Sequence, residues 1–475
     1  MKNKADEREL SLVFGEDSYG ETPEERAKTS SRCFIRGQLQ LAGYSDQASG
    51  RVLRATEALK IFGWSSLLKV ALDGAKPLIS SPQEPAATLK RRREELGLSH
   101  EDLKRKTKIP SKVIRAAETP GTRTPIRTLE SLAQTLGLDE QVLGMIPDAH
   151  RDANLGVRLR EMASDKAKTP FSAHTVLQFA EAAWVIDRQV SLQRDLSESG
   201  LAFEMLIPRP FPDYSYPVYK IGYDLARKTR RILDISDDSP IESVRKVIED
   251  RFNIPLIQEK MSPKLAGATL ANGSTRGIIV NEAGANSNVW VRRMTLCHEL
   301  GHLLWDPDDR LKKVTVDTYA DLERSDRDHG RDHAETRANA FAVAFLAPPA
   351  AVESIANRCN NPTDVVKEVM SKFGISATAA KHHIHNITNL DTLGISNRDL
   401  PTPETDWDAL ENLMIDYFPD KNVSSSRRGK FAWCVAKAYQ LNQISLDSAI
   451  SYFSSDADCL TEDSLRQILK LSEGA

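Results

Sequence analysis

Two histidines stand four residues apart in the apolar segment 292–305, and a glutamate follows the first of them. On a helix, side chains four positions apart lie on the same face, so His298 and His302 can bind one metal ion together. Glu299 then lies beside the metal, where a carboxylate can take a proton from an attacking water and pass it to a leaving amine. The H-E-x-x-H spacing therefore predicts a Zn²⁺ site with hydrolytic chemistry and Glu299 as its catalytic residue.

A third ligand must come from elsewhere, because catalytic zinc usually takes three protein ligands and keeps one open position. A second apolar helix pattern follows downstream, with Glu335 and Asn339 on its polar face. Two helices packed face to face would bring Glu335 to the histidine pair, so Glu335 is the preferred ligand. The alternative ligands His329, Asp332 and His333 belong to a charged stretch that is typical of a solvated loop.

The alternative to a metal site is a core helix whose histidines only form hydrogen bonds. Four leucines in the same segment favour burial of one helix face, and they are Leu296, Leu300, Leu303 and Leu304. Adjacent positions on a helix point about 100° apart, so Cys297 should face the core when His298 faces a metal. We therefore expect Cys297 to be a small buried side chain rather than a redox switch.

The segments MTLCHELGHLLW and ETRANAFAVAFLAPP resemble the ImmA/IrrE family of zinc metallopeptidases, and the upstream LAGATLANGSTRGIIVNE fits the same pattern. The resemblance covers residues 219–350. It implies a zincin-like α+β fold, a metal held by His298, His302 and Glu335, and Glu299 as catalytic acid and base. The family usually has a small apolar residue in place of Cys297 and a shorter connection between the two helices.

The elements that would position these residues alternate as in an α+β domain. Helix patterns occupy 218–233 and 240–252, and strand patterns occupy 254–260, 265–271 and 276–282. Asn272-Gly273 between the last two strands predicts a hairpin. If strand 276–282 is the sheet edge beside the motif helix, a substrate peptide could add to it as an extra strand over the metal.

A second chemical signal is the excess of lysine and arginine in residues 89–127. A local positive patch in a chain with a net charge of −3 is typical of phosphate binding. The helix patterns here, with a start at Ser99, a turn near Lys108-Ile109 and a new start at Ser111, favour a helix-turn-helix. A basic helical bundle that binds protein is the alternative.

The segment LKRRREELGLSHEDLKRKTKIPSKVIRAAE resembles the Xre/Cro-like repressor family over some sixty residues. The resemblance implies double-stranded DNA as a partner and a set of residues facing the major groove, namely His100, Ser111, Lys112 and Arg115. Lys104 and Lys108 replace the alanine and glycine that the family prefers, and His100 stands where glutamine is common. These departures bear on sequence-specific readout more than on the fold.

The 475 residues predict a multi-domain, mainly α protein. The five cysteines are scattered and odd in number, the start has no signal-peptide pattern, and no apolar run is long enough to span a membrane. We therefore expect a cytoplasmic protein with no membrane partner. The predicted parts are a helical N-terminal region 1–78, a helix-turn-helix 86–146, a connecting helix and linker 150–217, a metallopeptidase 218–350, its helical extension 351–400 and a helical C-terminal region 401–475.

Together these features predict a zinc-dependent endopeptidase with a DNA-binding module. As a regulator, it would cleave a repressor or an antitoxin-like protein in a stress, mobile-element or phage response. The alternative function is a DNA-binding transcriptional regulator or antitoxin, whose metal domain is sensory or structural and cuts nothing.

Overall fold

The computed structural model describes residues 6–47, 49–146, 171–198, 217–272, 275–311, 315–318, 333–416, 418, 422–453 and 460–473. Within these residues the chain is mainly helical and has two four-stranded sheets. It divides into two compact units, the first formed by 1–197 together with 418–475 and the second by 198–417. The prediction of a mainly α, multi-domain protein is consistent with this architecture.

The elements are numbered in chain order. The helices are α1 Glu7–Phe14, α2 Pro23–Thr29, α3 Ala55–Phe62, α4 Trp64–Asp73, α5 Ala86–Glu95, α6 His100–Thr107, α7 Ser111–Ala117, α8 Ile126–Thr135, α9 Ala173–Asp195, α10 Val218–Ile232, α11 Val244–Lys246, α12 Val289–Trp305, α13 Asp308–Leu311, α14 His333–Leu346, α15 Pro349–Arg358, α16 Pro362–Phe373, α17 Ala377–Thr388, α18 Thr405–Asp416, α19 Lys430–Gln440, α20 Leu446–Phe453 and α21 Glu462–Glu473. The strands are β1 Cys33–Arg36, β2 Gln40–Gly43, β3 Arg51–Arg54, β4 Ala75–Pro77, β5 Leu256–Glu259, β6 Leu265–Asn272, β7 Thr275–Asn281 and β8 Thr315–Thr318.

The first unit contains an antiparallel sheet of order β3-β1-β2-β4 that packs with α1 to α4. The prediction of a helical N-terminal region is therefore wrong for residues 33–54, which form β1 to β3. Each of these strands has only four residues. So short a run does not distinguish the two-residue period of a strand from the 3.6-residue period of a helix. Helices α5 to α8 come next, within the range 86–146 that was predicted to be a helix-turn-helix.

Helix α9 is buried along most of its length, in contact with α8 and α19. Residues 430–473, at the far end of the sequence, thus fold with the N-terminal half of the chain. By contrast, α18 belongs to the second unit, where the carboxylate of Glu411 accepts hydrogen bonds from the backbone N–H groups of Val244 and Arg245. The region 401–475, predicted as a single helical region, is therefore divided between the two units.

The second unit contains a mixed sheet of order β5-β7-β6-β8. Strands β6 and β7 form the expected hairpin, with Asn272 paired to Thr275. Its turn residues 273 and 274 lie outside the described residues. Strand β7 lies between β5 and β6, so the expectation that strand 276–282 is a sheet edge is wrong. The edge strand beside β6 is β8, from the connection between the two motif helices.

The motif helix α12 lies between the sheet and α14, with its four leucines buried. Its Arg293 is fully buried and donates to the carbonyl oxygens of Ile241 and Gly374 as well as to Glu411. Gly301 allows the close approach of α14, because a Cβ atom at this position would lie 2.8 Å from Cδ1 of Phe341. The glycine of the motif therefore sets the spacing between the two helices.

The Cys297 side chain is fully buried, and burial raises the pKa of its thiol. This agrees with the expected packing role. No single helix of the described residues is both long and apolar enough to cross a membrane. In the part of the chain that the structure describes, α14 and α15 reach this length and composition together, with a bend of 57° between them.

Candidate active site

Three ligand atoms converge between α12 and α14. Nε2 of His298 lies 3.0 Å from Nε2 of His302. Oε2 of Glu335 lies 3.3 Å from the first of these nitrogens and 3.5 Å from the second. The four-residue spacing on α12 and the close packing of α14 thus bring together the three residues expected to bind zinc.

The outer nitrogens of both imidazoles have acceptors, which orient the rings. Nδ1 of His302 lies 2.8 Å from Oδ2 of Asp306, and Nδ1 of His298 lies 2.9 Å from Oδ1 of Asn339. With each Nδ1 donating its hydrogen, the neutral rings turn the Nε2 lone pairs toward each other and toward Glu335. Lone pairs that face one another repel unless a cation lies between them.

The spacing of these atoms fits zinc. Bonds of about 2.0–2.1 Å in a tetrahedral site place the ligand atoms roughly 3.3–3.4 Å apart. Among the described residues, His298, His302 and Glu335 form a set whose ligand atoms all lie within 4.8 Å of one another. Two imidazoles and one carboxylate also form the donor set of a catalytic zinc that keeps a position open.

Glu335 is the most accessible of the three, with 25% of its side chain exposed against 1% for each histidine. Its burial favours the neutral acid, but the adjacent His298 and His302 outweigh this effect and lower the pKa of the carboxyl well below its usual range. Its second oxygen, Oε1, accepts a hydrogen bond of 2.6 Å from Arg310. The carboxylate is therefore in the anionic form that a metal requires.

Glu299 is fully buried beside the histidines and against strand β6. A Cβ atom on Gly267 of that strand would lie 2.8 Å from Oε1 of Glu299. Strand β6 is irregular at this point, since its pairing with β8 shifts register between Leu265 and Gly267. The sheet thus defines one wall of the space in which the carboxylate lies.

Sequence reasoning missed the groups around the ligands. Asp306 pairs with Arg337 and lies 2.8 Å from Nε of Arg310, and burial lowers the pKa of Arg337 to about 10. A signal for part of this set exists, because His302 and Asp306 continue the four-residue spacing, as do Glu335 and Asn339. Arg310 and Arg337 reach the site only through the tertiary fold.

Among the alternative third ligands, the described structure includes His333, which is not part of this cluster. His333 is the exposed first residue of α14. His329 and Asp332 lie outside the described residues. The structure gives the positions of the His298, Glu299, His302 and Glu335 side chains. The roles assigned to these four residues remain predictions.

Comparison with known families agrees with this geometry. Residues 249–385 match the peptidase M78 family, described as the IrrE N-terminal-like domain. The M78-like region contains all four predicted site residues and the arginines around them. Among curated proteins, none matches the chain. The family supports a peptidase-like domain, with metal dependence typical of its members.

The predicted DNA-binding residues lie outside the M78-like region, on α6 and α7. Lys112 and Arg115 are exposed on α7. His100 lies 3.0 Å from the Glu118 carboxylate, and the Ser111 hydroxyl donates to Glu101. Two of the four residues thus point to solvent, and two form bonds within the unit.

The helices that carry these residues begin where the sequence predicted, since α6 follows Ser99 and α7 starts at Ser111. Leu103 and Ile114 are fully buried, and the turn between α6 and α7 places Lys108 in the left-handed region with φ of 61°. Glycine adopts this conformation most readily. The positive patch is smaller than expected, because Arg92 and Arg93 are buried. Arg92 donates to a backbone carbonyl and Arg93 to Glu118.

Proposed function

We propose that the protein is a zinc-dependent endopeptidase. The observation that carries this proposal is the convergence of Nε2 of His298, Nε2 of His302 and Oε2 of Glu335, with Glu299 buried beside them. The M78 match over residues 249–385 supports peptide hydrolysis as the reaction.

Zinc held by the two histidines and Glu335 would supply Lewis acidity, which polarises a peptide carbonyl and lowers the pKa of water. Glu299 would then accept the proton of the attacking water at its carboxylate and deliver it to the departing amine nitrogen. Asp306 and Asn339 hold the imidazoles through Nδ1, in an orientation that would leave Nε2 for an ion. The buried position of Glu299 keeps bulk water away from the proton that it carries.

The substrate would be an extended protein segment that adds to the sheet. Strand β8 is the edge strand on the β6 side, and it pairs Asp317 with Gly267, the residue that lies against Glu299. A segment that extends the sheet at β8, or takes its place, would run along the side of the sheet nearest the catalytic carboxylate. We propose a repressor or antitoxin-like protein as the substrate and a stress, mobile-element or phage response as its setting.

The experiment compares wild-type protein with Glu299→Gln, each assayed for bound zinc and for cleavage of proteins encoded next to this gene. A mass-spectrometric search for new termini in a proteome-derived peptide library removes the dependence on a chosen substrate. The amide has the shape of the carboxylate but does not accept the proton. We expect zinc to be retained and the rate to fall by a factor on the order of 10²–10⁴.

The matched control is Glu353→Gln, which removes an exposed carboxylate from α15 of the same unit and should cut at the wild-type rate. Absence of zinc from the wild-type protein would refute the proposal. Zinc binding without any cleavage would favour the second candidate function, a DNA-binding regulator or antitoxin with a sensory or structural metal domain.

We further propose that α5 to α8 bind double-stranded DNA in the manner of an Xre/Cro-like helix-turn-helix. The exposed positions of Lys112 and Arg115 on α7 support this proposal. Each cation that neutralises a phosphate releases condensed counterions, so the affinity falls steeply as salt rises. Transcription regulation is the role that this binding would serve.

Charge reversal at Lys112 and Arg115 tests the DNA proposal with a duplex from the promoter of the gene. We expect weaker binding and a log–log salt slope that is less steep by about 0.9 for each phosphate that the variant no longer neutralises. Charge reversal at both Lys28 and Lys69, which are exposed on α2 and α4 of the same unit, is the control for net charge. Equal affinities for the double variant and the wild type would exclude this surface.

A further inference from the structure

The two helices that carry the ligands are joined by a connection longer than the resembling family usually has, and its first turn reaches back to the site. Helix α13 begins two residues after Asp306, and Leu311 at its end is buried in the core of the unit. Backbone hydrogen bonds to the carbonyl of Pro307 from Arg310 and Leu311 close this turn. Arg310 is therefore placed by a short, anchored helix rather than by a free loop.

The Arg310 side chain contacts two carboxylates of the site. Its Nη2 donates to Oε1 of Glu335 at 2.6 Å, and its Nε lies 2.8 Å from Oδ2 of Asp306. The same Oδ2 atom lies 2.8 Å from Nδ1 of His302. One guanidinium thus connects the proposed third ligand with the acid that orients the second ligand.

This arrangement leaves the other carboxylate oxygen of Glu335 for the metal. Oε2 faces the two histidines while Oε1 is held by Arg310. Glu335 lies in the first turn of α14 and is the most exposed of the three ligands, so it has the greatest freedom to swing away. A planar guanidinium can hold two acceptors at once in fixed directions, which an ammonium does less well.

We propose that Arg310 is a positioning residue for the metal centre. It fixes Glu335 for coordination through Oε2, and through Asp306 it fixes the orientation of His302. The inference rests on the zinc site proposed above and adds a residue that neither the motif nor the resemblance assigns. Arg310 itself supplies no ligand and touches no reacting atom.

The test uses the full-length protein and measures zinc affinity by chelator competition, together with the visible spectrum of the Co²⁺-substituted form. Arg310→Leu should lower zinc affinity about 10- to 100-fold, the usual loss when a residue that orients a ligand is removed. The cobalt bands should also change, because Glu335 is then free to leave or to coordinate differently. Arg310→Lys should fall between the wild type and the leucine variant.

Arg358→Leu is the matched control, since Arg358 forms an exposed ion pair with Glu368 on the same unit. Its zinc affinity and cobalt spectrum should equal those of the wild type. An equal loss of affinity in this control would overturn the proposal, because the effect would then come from net charge. Wild-type affinity and spectrum in Arg310→Leu would also overturn it.

Two further comparisons keep the outcome decisive. If the metal-free leucine variant does not fold, the lysine variant decides: lower affinity supports the proposal, and wild-type affinity overturns it. In a Glu335→Ala background, Arg310→Leu should cost less affinity than in the wild type, and an equal cost would overturn the link to Glu335. A wild-type protein that binds no zinc would refute the proposed function as well, whereas failure of the Arg310 variants alone leaves that function standing.

Discussion

Both units bury charged side chains, but they use them differently. In the first unit, the Glu181 carboxylate on α9 is held by Arg427 at 2.7 Å and by Lys106 at 2.6 Å, which joins three distant stretches of sequence. In the second unit, Asp306 is paired with arginines and turns His302 toward the space in front of Glu335. The first network pairs anions with cations. The second directs the Nε2 lone pairs of two histidines and a carboxylate oxygen of Glu335 toward one point.

This difference shows what distinguishes a candidate site from a structural ion network. Burial and strong pairing occur in both units, and a buried ion pair alone is weak evidence for either stability or function. Only in the second unit do described His, Cys, Asp or Glu side chains bring three ligand atoms within 4.8 Å of one another. Convergence of acceptors, more than buried charge, is therefore the informative feature.

The largest expected effect is a loss of stability when the network of the first unit is opened. Glu181→Ala leaves the buried Arg427 without its acid and should lower the free energy of unfolding of this unit by about 3–5 kcal/mol. Hydrogen exchange of amides in α6, α9 and α19 should accelerate, while amides in α12 and the zinc affinity stay unchanged. Mass spectrometry of exchanged peptides measures both units in one sample.

Glu368→Ala is the control, because Glu368 pairs with Arg358 on the exposed surface. Exposed pairs contribute about 0–1 kcal/mol, so its effect should be small. Exchange in α9 that is no faster in Glu181→Ala than in this control would mean that the network does not hold the first unit together.

The next effect concerns pH, because the two units bury groups that titrate in different ranges. His383 on α17 accepts from the Tyr223 hydroxyl at Nδ1 and donates to the Ala347 carbonyl, and its burial lowers its pKa from 6.5 to about 4. The unfolded chain takes up this proton below pH 6.5 and the folded chain only near pH 4. Stability from His383 is thus complete above pH 6.5 and is lost on acidification toward pH 4, by about 3 kcal/mol in total.

For Glu181 the window is lower. Burial favours its neutral form, but attraction to Arg427 and Lys106 outweighs this and lowers its pKa from 4.5 to about 2. Its contribution is complete above pH 4.5 and is lost toward pH 2. Denaturation experiments should therefore show that the second unit is less stable at pH 5 than at pH 7. His383→Gln keeps both hydrogen bonds but does not titrate, so this variant should show a smaller loss of stability between the two pH values. An unchanged pH dependence in the variant would refute this assignment.

Local sequence patterns predicted the three residues that converge between α12 and α14 but not the residues around them. His298 and His302 follow from local helix spacing, and the hairpin from Asn272-Gly273 follows from turn chemistry. Local patterns do not encode which strand lies in the middle of a sheet, so the edge position considered for strand 276–282 could not be tested before the order β5-β7-β6-β8 was known. The contacts of Arg310 to Glu335 across the connection, and of α19 to α9, likewise depend on long-range packing.

The smallest expected effect separates the position of the Glu299 carboxylate, the proposed catalytic group, from the geometry of the three proposed ligands. The backbone of Gly267 lies so close to α12 that a Cβ atom would be 2.8 Å from Oε1 of Glu299 and 3.1 Å from Cγ2 of Thr295. Gly267→Ala must therefore displace the Glu299 carboxylate, while the histidines keep their contacts to Asp306 and Asn339. We expect unchanged zinc affinity and a peptidase rate lower by about tenfold, which corresponds to about 1.4 kcal/mol in the barrier.

The matched control for this variant is Gly394→Ala in the same unit, where a Cβ atom would meet nothing within 4 Å. Its rate and zinc content should equal those of the wild type, which shows that a methyl group on the backbone is harmless elsewhere. Loss of zinc from Gly267→Ala would mean that β6 positions the ligands as well as the acid. A wild-type rate would mean that Glu299 tolerates displacement, and the contrast between a directed site and a mere network of charges would then rest on the ligands alone.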